Sequence, residues 1–162
     1  MNVSLATGSG SGGEAEGDTL VGVVGVFGTA FDDTLEGWSG ADSLYGGAGS
    51  DLLVGSAGAD FLLGDVGLDT VDYGASAAGV TVDLGATGPS SGGDAEGDVI
   101  IAVEVALGSA FADTLTASDF GSQLVGGEGD DTVVAGAGAT RSSAATGWTC
   151  STTAGRGSRA SR

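Results

Sequence analysis

The chain of 162 residues has no histidine, no lysine, one cysteine and one proline. Acid–base and nucleophilic catalysis rely heavily on histidine and lysine, so the absence of both argues against an enzyme. Acidic pairs such as Glu14 and Glu16 could serve a glycosidase, but the favoured interpretation is that they are solvated loop charges. The single Cys150 excludes an internal disulfide, and no apolar run approaches the length of a membrane span.

Basic side chains are almost missing, whereas 22 residues are acidic. All four basic residues are arginines near the end of the chain: Arg141, Arg156, Arg159 and Arg162. Residues 1–140 therefore carry a formal charge of −22 without a single cationic side chain. Such a body excludes nucleic acid, whose binding needs cationic contacts to phosphate, and it repels an anionic membrane surface. The partner that this charge indicates is a cation.

Glycine is abundant instead, with 34 residues, and it recurs with a strict nine-residue period. Each period has a glycine, an aspartate five residues later and an apolar residue two positions further on. The glycines are Gly28, Gly37, Gly46, Gly55 and Gly64; the aspartates are Asp33, Asp42, Asp51, Asp60 and Asp69; the apolar residues are Leu35, Leu44, Leu53, Leu62 and Val71. Because three residue classes share one period over five units, the chain is a repeat protein rather than a disordered glycine-rich segment.

A longer repeat encloses the nine-residue period. Residues 12–60 match residues 92–140 at an offset of 80, with 22 of 49 positions identical. Gapless identity at this level indicates that an 80-residue unit was duplicated. The duplication extends the nine-residue pattern to a second block, which contributes Asp113 and Asp131.

Each nine-residue period predicts a glycine-rich turn followed by a three-residue strand. Only glycine adopts a positive φ at low cost, and alternation in a strand sends its middle residue to one face. Repetition of this unit predicts an all-β solenoid of parallel strands, with one apolar side chain per unit filling a thin core. Stacking also aligns the turn aspartates in files whose charges repel. A bound divalent cation would remove this repulsion and stabilise the thin core.

The period resembles the RTX, or haemolysin-type, calcium-binding nonapeptide repeat G-G-x-G-x-D-x-U-x, in which U is apolar. GGAGSDLLV at 46–54 and GGEGDDTVV at 126–134 match every fixed position. The unit at 117–125 has Ser122 in place of the aspartate. Three further units lack only the second glycine: residues 37–45, 55–63 and 64–72. The resemblance covers roughly residues 1–140.

This resemblance implies a parallel β-roll with two nonapeptides per turn, in which Ca²⁺ lies between the aspartate of one unit and the turn of the unit two along. The carboxylate ligands that it implies are Asp33, Asp42, Asp51, Asp60, Asp69, Asp113 and Asp131. The backbone carbonyl ligands that it implies belong to Gly46, Gly47, Ala48, Gly49, Gly55, Gly58, Gly64 and Gly67. All-oxygen ligation suits a hard cation such as Ca²⁺.

Two interpretations stay open for several side chains. The turn aspartates could act as turn formers alone, although five in register favour metal ligation. Asp18 and Asp98, each at the end of the sequence EGD, are either ligands or turn residues. Four outward-facing apolar residues are either covered by residues 73–107 or form a docking patch for another module; they are Leu52, Val54, Phe61 and Leu63.

The patterns divide the chain into five segments. We predict a truncated inter-block segment at 1–27, a first block at 28–72, an inter-block segment at 73–107, an incomplete second block at 108–140 and a tail at 141–162. The start resembles the middle of a repeat unit, and the repeat pattern stops at Thr140. Because a shifted reading frame can restore aspartates at positions 140 and 149, we expect the tail to be disordered or the product of a frameshift.

The sequence as a whole predicts a calcium-binding β-roll module. We expect it to be a fragment of a larger secreted bacterial protein and to fold on binding extracellular Ca²⁺. By resemblance, the parent protein would leave the cell by type I secretion. The main alternative is a calcium-stiffened adhesin or matrix spacer, and a non-catalytic fragment of a secreted hydrolase comes third. The expected partners are calcium ions and other modules of a larger parent chain.

Overall fold

A computed structural model describes the backbone of residues 1–86, 88–143, 149–152 and 159–160, and the side chains of residues 1–86 and 88–143. The strands of its first half are β1 (Asn2–Ser4), β2 (Ser9–Ser11), β3 (Gly25–Phe27), β4 (Thr34–Glu36), β5 (Ser43–Ala48), β6 (Leu52–Val54), β7 (Phe61–Val66), β8 (Thr70–Asp72) and β9 (Thr81–Asp83). Those of its second half are β10 (Val99–Ile101), β11 (Val105–Leu107), β12 (Thr114–Thr116), β13 (Ser122–Val125), β14 (Thr132–Ala135), β15 (Thr140–Ser143), β16 (Thr149–Thr152) and β17 (Arg159–Ala160).

Helical structure in the described residues is confined to two short 3-10 turns. They are Gly13–Ala15 and Gly93–Ala95, which occupy equivalent positions in the 80-residue repeat. None of the described helical segments has the length and apolar character needed to cross a membrane.

The strands form one long sheet and two shorter ones. The long sheet has the order β17–β15–β13–β11–β8–β6–β4–β1–β2, and the shorter sheets have the orders β10–β7–β5–β3 and β16–β14–β12–β9. Pairing between neighbouring strands is parallel except where β2 turns back against β1. Along each block the chain alternates between the long sheet and a shorter one, which is the path of a solenoid.

The register between strands equals two repeat units. Leu35 pairs with Leu53 in the long sheet, and Leu44 pairs with Leu62 in the first short sheet, so partners are 18 residues apart. The second block keeps the same spacing, because Leu115 pairs with Val133. Two nine-residue units therefore make one turn, and the parallel β-roll predicted from the sequence is confirmed.

One apolar side chain from the middle of each short strand fills the space between the sheets. The inward residues of the first block are all fully buried: Leu35, Leu44, Leu53, Leu62 and Val71. Leu115, Leu124 and Val133 continue the same core in the second block. At roughly 1.5–3 kcal/mol for each buried side chain, this core contributes its stability one turn at a time.

The predicted inter-block segment, residues 73–107, is built into the roll. Its strand β9 pairs with β12 of the second block, whereas β10, which follows β9 in the chain, pairs with β7 of the first block. Strand β11 then lies between β8 and β13 in the long sheet. Because Val82, Ile100 and Ala106 of this segment are buried in the common core, the apolar interior runs without a break from block to block. The segment boundaries themselves stay a prediction.

The outward apolar residues of the first block are half-buried in the structure. Strand β10 of the inter-block segment extends the sheet at its edge, where Val99 pairs with Phe61. On the outer face of the same sheet, Phe27 stacks on Tyr45 with ring centroids 4.3 Å apart, and Tyr45 contacts Phe61 at 5.6 Å. Whether Leu52, Val54, Phe61 and Leu63 are a covered surface or a docking patch for another module stays a prediction.

The predicted tail continues the strand pattern where the structure describes it. Strand β15 pairs with β13, β16 with β14, and β17 with β15, all in parallel. Residues 144–148, 153–158 and 161–162 lie outside the described residues. The proposed frameshift and the expected disorder of 141–162 therefore stay predictions.

Candidate metal centre

Each nine-residue unit places its aspartate at the junction between the turn and the following strand. Seven aspartates were predicted as ligands, and all are buried with at most 5% of their surface exposed; they are Asp33, Asp42, Asp51, Asp60, Asp69, Asp113 and Asp131. Buried carboxylates need partners, because an isolated charge in a protein interior is strongly unfavourable. The two oxygens of each side chain meet this need differently.

The Oδ1 oxygens form a ladder along the axis of the roll. The backbone N–H of Asp33 donates to Oδ1 of Asp51 at 2.8 Å, and the N–H of Asp51 donates to Oδ1 of Asp69 at 2.9 Å. On the other side of the roll, the N–H of Asp42 donates to Oδ1 of Asp60 at 2.8 Å. Asp113 and Asp131 repeat the arrangement at 3.1 Å. Every link joins one turn to the next.

The Oδ2 oxygens are satisfied at the start of each file but not further along it. Oδ2 of Asp33, Asp42 and Asp113 accepts a hydrogen bond of 2.5–2.7 Å from the backbone N–H four residues earlier. Four buried Oδ2 atoms have no hydrogen-bond partner in the described part of the chain: those of Asp51, Asp60, Asp69 and Asp131. A second interaction is required at these four oxygens.

The first glycine of each unit keeps open the space that these oxygens face. A Cβ on Gly46 would clash with Oδ2 of Asp51 and lie 2.9 Å from the carbonyl oxygen of Gly64. A Cβ on Gly37 would similarly lie 2.9 Å from Oδ2 of Asp42 and clash with the carbonyl oxygen of Gly55. A carboxylate oxygen and a carbonyl oxygen from the next turn therefore converge on the space above each of these two glycines. This convergence explains why glycine is required there.

The predicted carbonyl ligands divide into two groups. The carbonyl oxygens of Gly46, Gly55 and Gly64 lie beside the glycine one turn back and the Oδ2 atom of its unit. The remaining predicted carbonyl ligands lie in the same turns, and their role stays a prediction: Gly47, Ala48, Gly49, Gly58 and Gly67. Within residues 1–86 and 88–143, no three acidic side chains converge on one point, so a cation held here would depend on carbonyl oxygens as well as carboxylates.

The electrostatics of the files favour a bound positive charge. Burial raises the pKa of Asp51, Asp69 and Asp131 above the ordinary value, and neighbouring carboxylates add to the effect. Burial, reinforced by Asp98 and Asp42, raises the pKa of Asp60 to about 7. Residues 1–140 offer no lysine, arginine or histidine that could neutralise these groups. Apart from the N-terminal ammonium, which pairs with Asp33, the compensating charge must be a proton or a metal ion.

The donor set fits a calcium ion. All the converging atoms are oxygens, some anionic and some neutral, which is the mixture that hard cations such as Ca²⁺ bind. Four of the buried carboxylates have an Oδ2 atom without a hydrogen-bond partner among the described residues, and the glycines leave room beside them. Bound Ca²⁺ would supply positive charge between successive turns.

Two residues of the inter-block segment continue the aspartate files: Asp98, whose role the sequence left open, and Glu104, which sequence reasoning missed. Asp98 is fully buried, and its Oδ1 accepts from the backbone N–H of Asp60 at 2.8 Å. Glu104 accepts from the backbone N–H of Asp69 through Oε2 at 3.0 Å. Asp98 had been left open as a ligand or a turn residue, and its duplicate Asp18 is exposed. Glu104 carried no signal, because it lies outside the nine-residue register.

A parallel β-roll with buried aspartate files and turn glycines is the architecture of a calcium-binding repeat protein. A family model described as the RTX calcium-binding nonapeptide repeat, four copies, matches residues 26–53, 45–77 and 107–140. These stretches cover more than half of the chain, which therefore belongs to the RTX calcium-binding nonapeptide repeat family. RTX repeats bind Ca²⁺, are typical of secreted bacterial proteins, and form β-roll domains that are themselves non-catalytic. No curated protein matches the chain.

Proposed function

We propose that this chain is a module of a larger secreted bacterial protein and that it folds when it meets extracellular Ca²⁺. The observation that carries the proposal is the set of buried, unpartnered Oδ2 atoms on Asp51, Asp60, Asp69 and Asp131. They lie in a body of charge −22 without one cationic side chain. The module stays expanded where Ca²⁺ is scarce, which suits export of the parent through a type I secretion channel, and it becomes rigid outside the cell.

The metal ligands in this proposal are the seven buried aspartates together with carbonyl oxygens of the next turn. Without metal, the files of carboxylates repel one another and each turn contributes only a small apolar core. With metal, the same oxygens bind the ion, so the free energy of binding becomes free energy of folding. Modules of this kind in extracellular proteins respond to calcium at around 10⁻⁴–10⁻³ M.

Circular dichroism and size-exclusion chromatography test the proposal directly. Protein stripped of metal should be expanded and lack β signal, and it should become compact and β-structured as Ca²⁺ rises to around millimolar. Mg²⁺ at the same concentration should act weakly, because it demands a smaller octahedral site and gives up its water reluctantly. A chain that is fully β-structured in excess chelator, or one that millimolar Ca²⁺ leaves unfolded, contradicts the proposal.

A second candidate function is a calcium-stiffened adhesin or matrix spacer. The observation that favours it is the row of Phe27, Tyr45 and Phe61 on the outer face of the first short sheet, where Phe27 is 72% exposed. Aromatic rows exposed on a rigid surface are common at binding sites. Binding of the folded module to glycans or ice that is lost in Tyr45→Ala would favour this function. If the folded module binds neither, calcium-coupled folding stays the only supported function. A fragment of a secreted hydrolase comes third.

A further inference from the structure

The contact between Asp60 and Asp98 joins a repeat aspartate to a residue outside the nine-residue register. In regular units, a carboxylate Oδ2 and a backbone carbonyl oxygen converge on the space above a glycine. At Gly55 the second group is a carboxylate: a Cβ there would lie 2.6 Å from Oδ2 of Asp60 and 3.3 Å from Oδ2 of Asp98. Two carboxylate oxygens from different segments therefore lie beside the same space at one glycine.

Both side chains are held in place by the surrounding fold. Asp60 is 2% exposed and Asp98 is fully buried. Oδ1 of Asp98 accepts from the backbone N–H of Asp60, and Oδ2 of Asp98 accepts from the hydroxyl of Tyr73 at 2.7 Å. Oδ2 of Asp60, which faces the same space, has no partner among the described residues. A buried oxygen without a partner, beside a second carboxylate, requires a cation or a proton.

We propose that a calcium ion binds between the carboxylates of Asp60 and Asp98 and joins the first block to the inter-block segment. This site rests on the proposed function, since it uses the same ion, but one of its two carboxylates comes from the inter-block segment rather than from a nine-residue unit. One divalent cation balances the two carboxylates. Tyr73 positions Asp98 through its hydroxyl. Asp98 thus takes the place of the repeat aspartate that would lie 18 residues after Asp60 in an uninterrupted roll.

Counting bound calcium in matched variants tests the site. Equilibrium dialysis at saturating Ca²⁺ should find one ion fewer per chain in Asp98→Asn than in the wild-type protein. Asp18→Asn is the control, because Asp18 is the duplicate of Asp98 at the 80-residue offset and is exposed, so it should keep the full count. An unchanged count in folded Asp98→Asn overturns the proposal and indicates that Asp60 carries a proton instead.

Terbium luminescence keeps the test decisive if Asp98→Asn does not fold. Tb³⁺ binds calcium sites, and its emission is sensitised by a nearby tyrosine, so the wild-type protein should show emission excited through Tyr73. Because tryptophan also sensitises Tb³⁺, the comparison is made in a background with Trp38→Phe and Trp148→Phe. In that background Tyr73→Phe should lose most of the tyrosine-excited emission, and Tyr45→Phe should lose much less. Equal emission from Tyr73→Phe and wild type overturns the site. If the wild-type protein binds no Ca²⁺ at all, the proposed function fails. If the wild-type protein folds with calcium but Asp98→Asn binds as many ions, only this site is excluded.

Discussion

The backbone N–H of Asp42 donates a hydrogen bond of 2.8 Å to Oδ1 of Asp60, one full turn further along the roll. The same relationship joins Asp33 to Asp51 and Asp113 to Asp131. One carboxylate therefore does two things: its Oδ1 satisfies the buried backbone of the preceding turn, and its Oδ2 faces the space above its own glycine. Since a solenoid unit stabilises both neighbours, the loss of one aspartate should be felt across two turns.

Replacement of a mid-file aspartate should weaken calcium-induced folding more than replacement of an exposed one. We expect Asp51→Ala and Asp60→Ala to raise the calcium midpoint of folding about tenfold, equivalent to about 1.4 kcal/mol, relative to Asp18→Ala. The reason is that each loses a buried ligand and an acceptor for the preceding turn. Calcium titration followed by circular dichroism measures the midpoints. Three equal midpoints would remove the metal role assigned to the nine-residue period.

Asp51→Asn is the matched control that separates charge from hydrogen bonding. The amide oxygen can still accept the N–H of Asp33, but the charge at position 51 is gone. If Asp51 acts through metal binding, this variant should need more calcium to fold, close to the requirement of Asp51→Ala. A variant that titrates like the wild-type protein would show that the turn hydrogen bond alone accounts for the aspartate.

The nine-residue period predicted a solenoid of parallel strands and its inward side chains, and the resemblance to the RTX repeat implied the β-roll and the seven aspartate ligands. The roles of Leu53 and Asp51 could be assigned because the same residue type recurs at the same position in many units. Asp98 and Glu104 could not, since the inter-block segment breaks the register: β10 pairs with β7 at an offset of 38 residues and β11 with β8 at 35. Which strand lies beside which after such an insertion depends on packing around the common core, and no local pattern records it.

Ser56 occupies a position where the repeat normally has its second glycine, and it adopts a φ of 67°. This left-handed conformation costs a residue with a Cβ roughly 1–2 kcal/mol. We therefore expect Ser56→Gly to raise the free energy of unfolding by about 1 kcal/mol in excess calcium. Urea unfolding measures the change. Ser50→Gly, at a turn serine without a positive φ, should be neutral or destabilising, and an equal gain in both variants would contradict this explanation.

Leu53 lies at the centre of the core and is fully buried, whereas its neighbour Leu52 points outward and is half-buried. Leu53→Ala should lower the free energy of unfolding by about 2–5 kcal/mol, because it removes buried apolar contacts and leaves a cavity between the sheets. Leu52→Ala should have a much smaller effect. Urea unfolding in saturating calcium distinguishes the two, and comparable losses would mean that the outer face of this strand is covered in solution.

Acid should partly replace calcium. In the folded, metal-free chain, burial raises the pKa of Asp60 to about 7, and the groups that face Asp60 are Asp42, Asp98 and Tyr73. None of these is cationic, so a proton is the remaining source of neutralisation. A carboxyl whose pKa is higher in the folded state contributes stability that is fully present below its unfolded pKa, near 3.8, and is lost as pH rises through its folded pKa.

The metal-free protein should therefore become more compact as pH falls from about 8 towards about 4.5. Calcium-induced folding should weaken over the same range, because protons and Ca²⁺ compete for the same oxygens. Circular dichroism and size-exclusion chromatography of metal-stripped protein, with and without added calcium, measure the two opposite trends. Asp60→Asn is the control: it is neutral at every pH, so the metal-free response should lose the contribution of Asp60 and keep that of the other carboxyls whose pKa is raised by burial, which are Asp51, Asp69, Asp98 and Asp131. A metal-free chain equally expanded at both pH values would show that the buried carboxylates do not oppose folding.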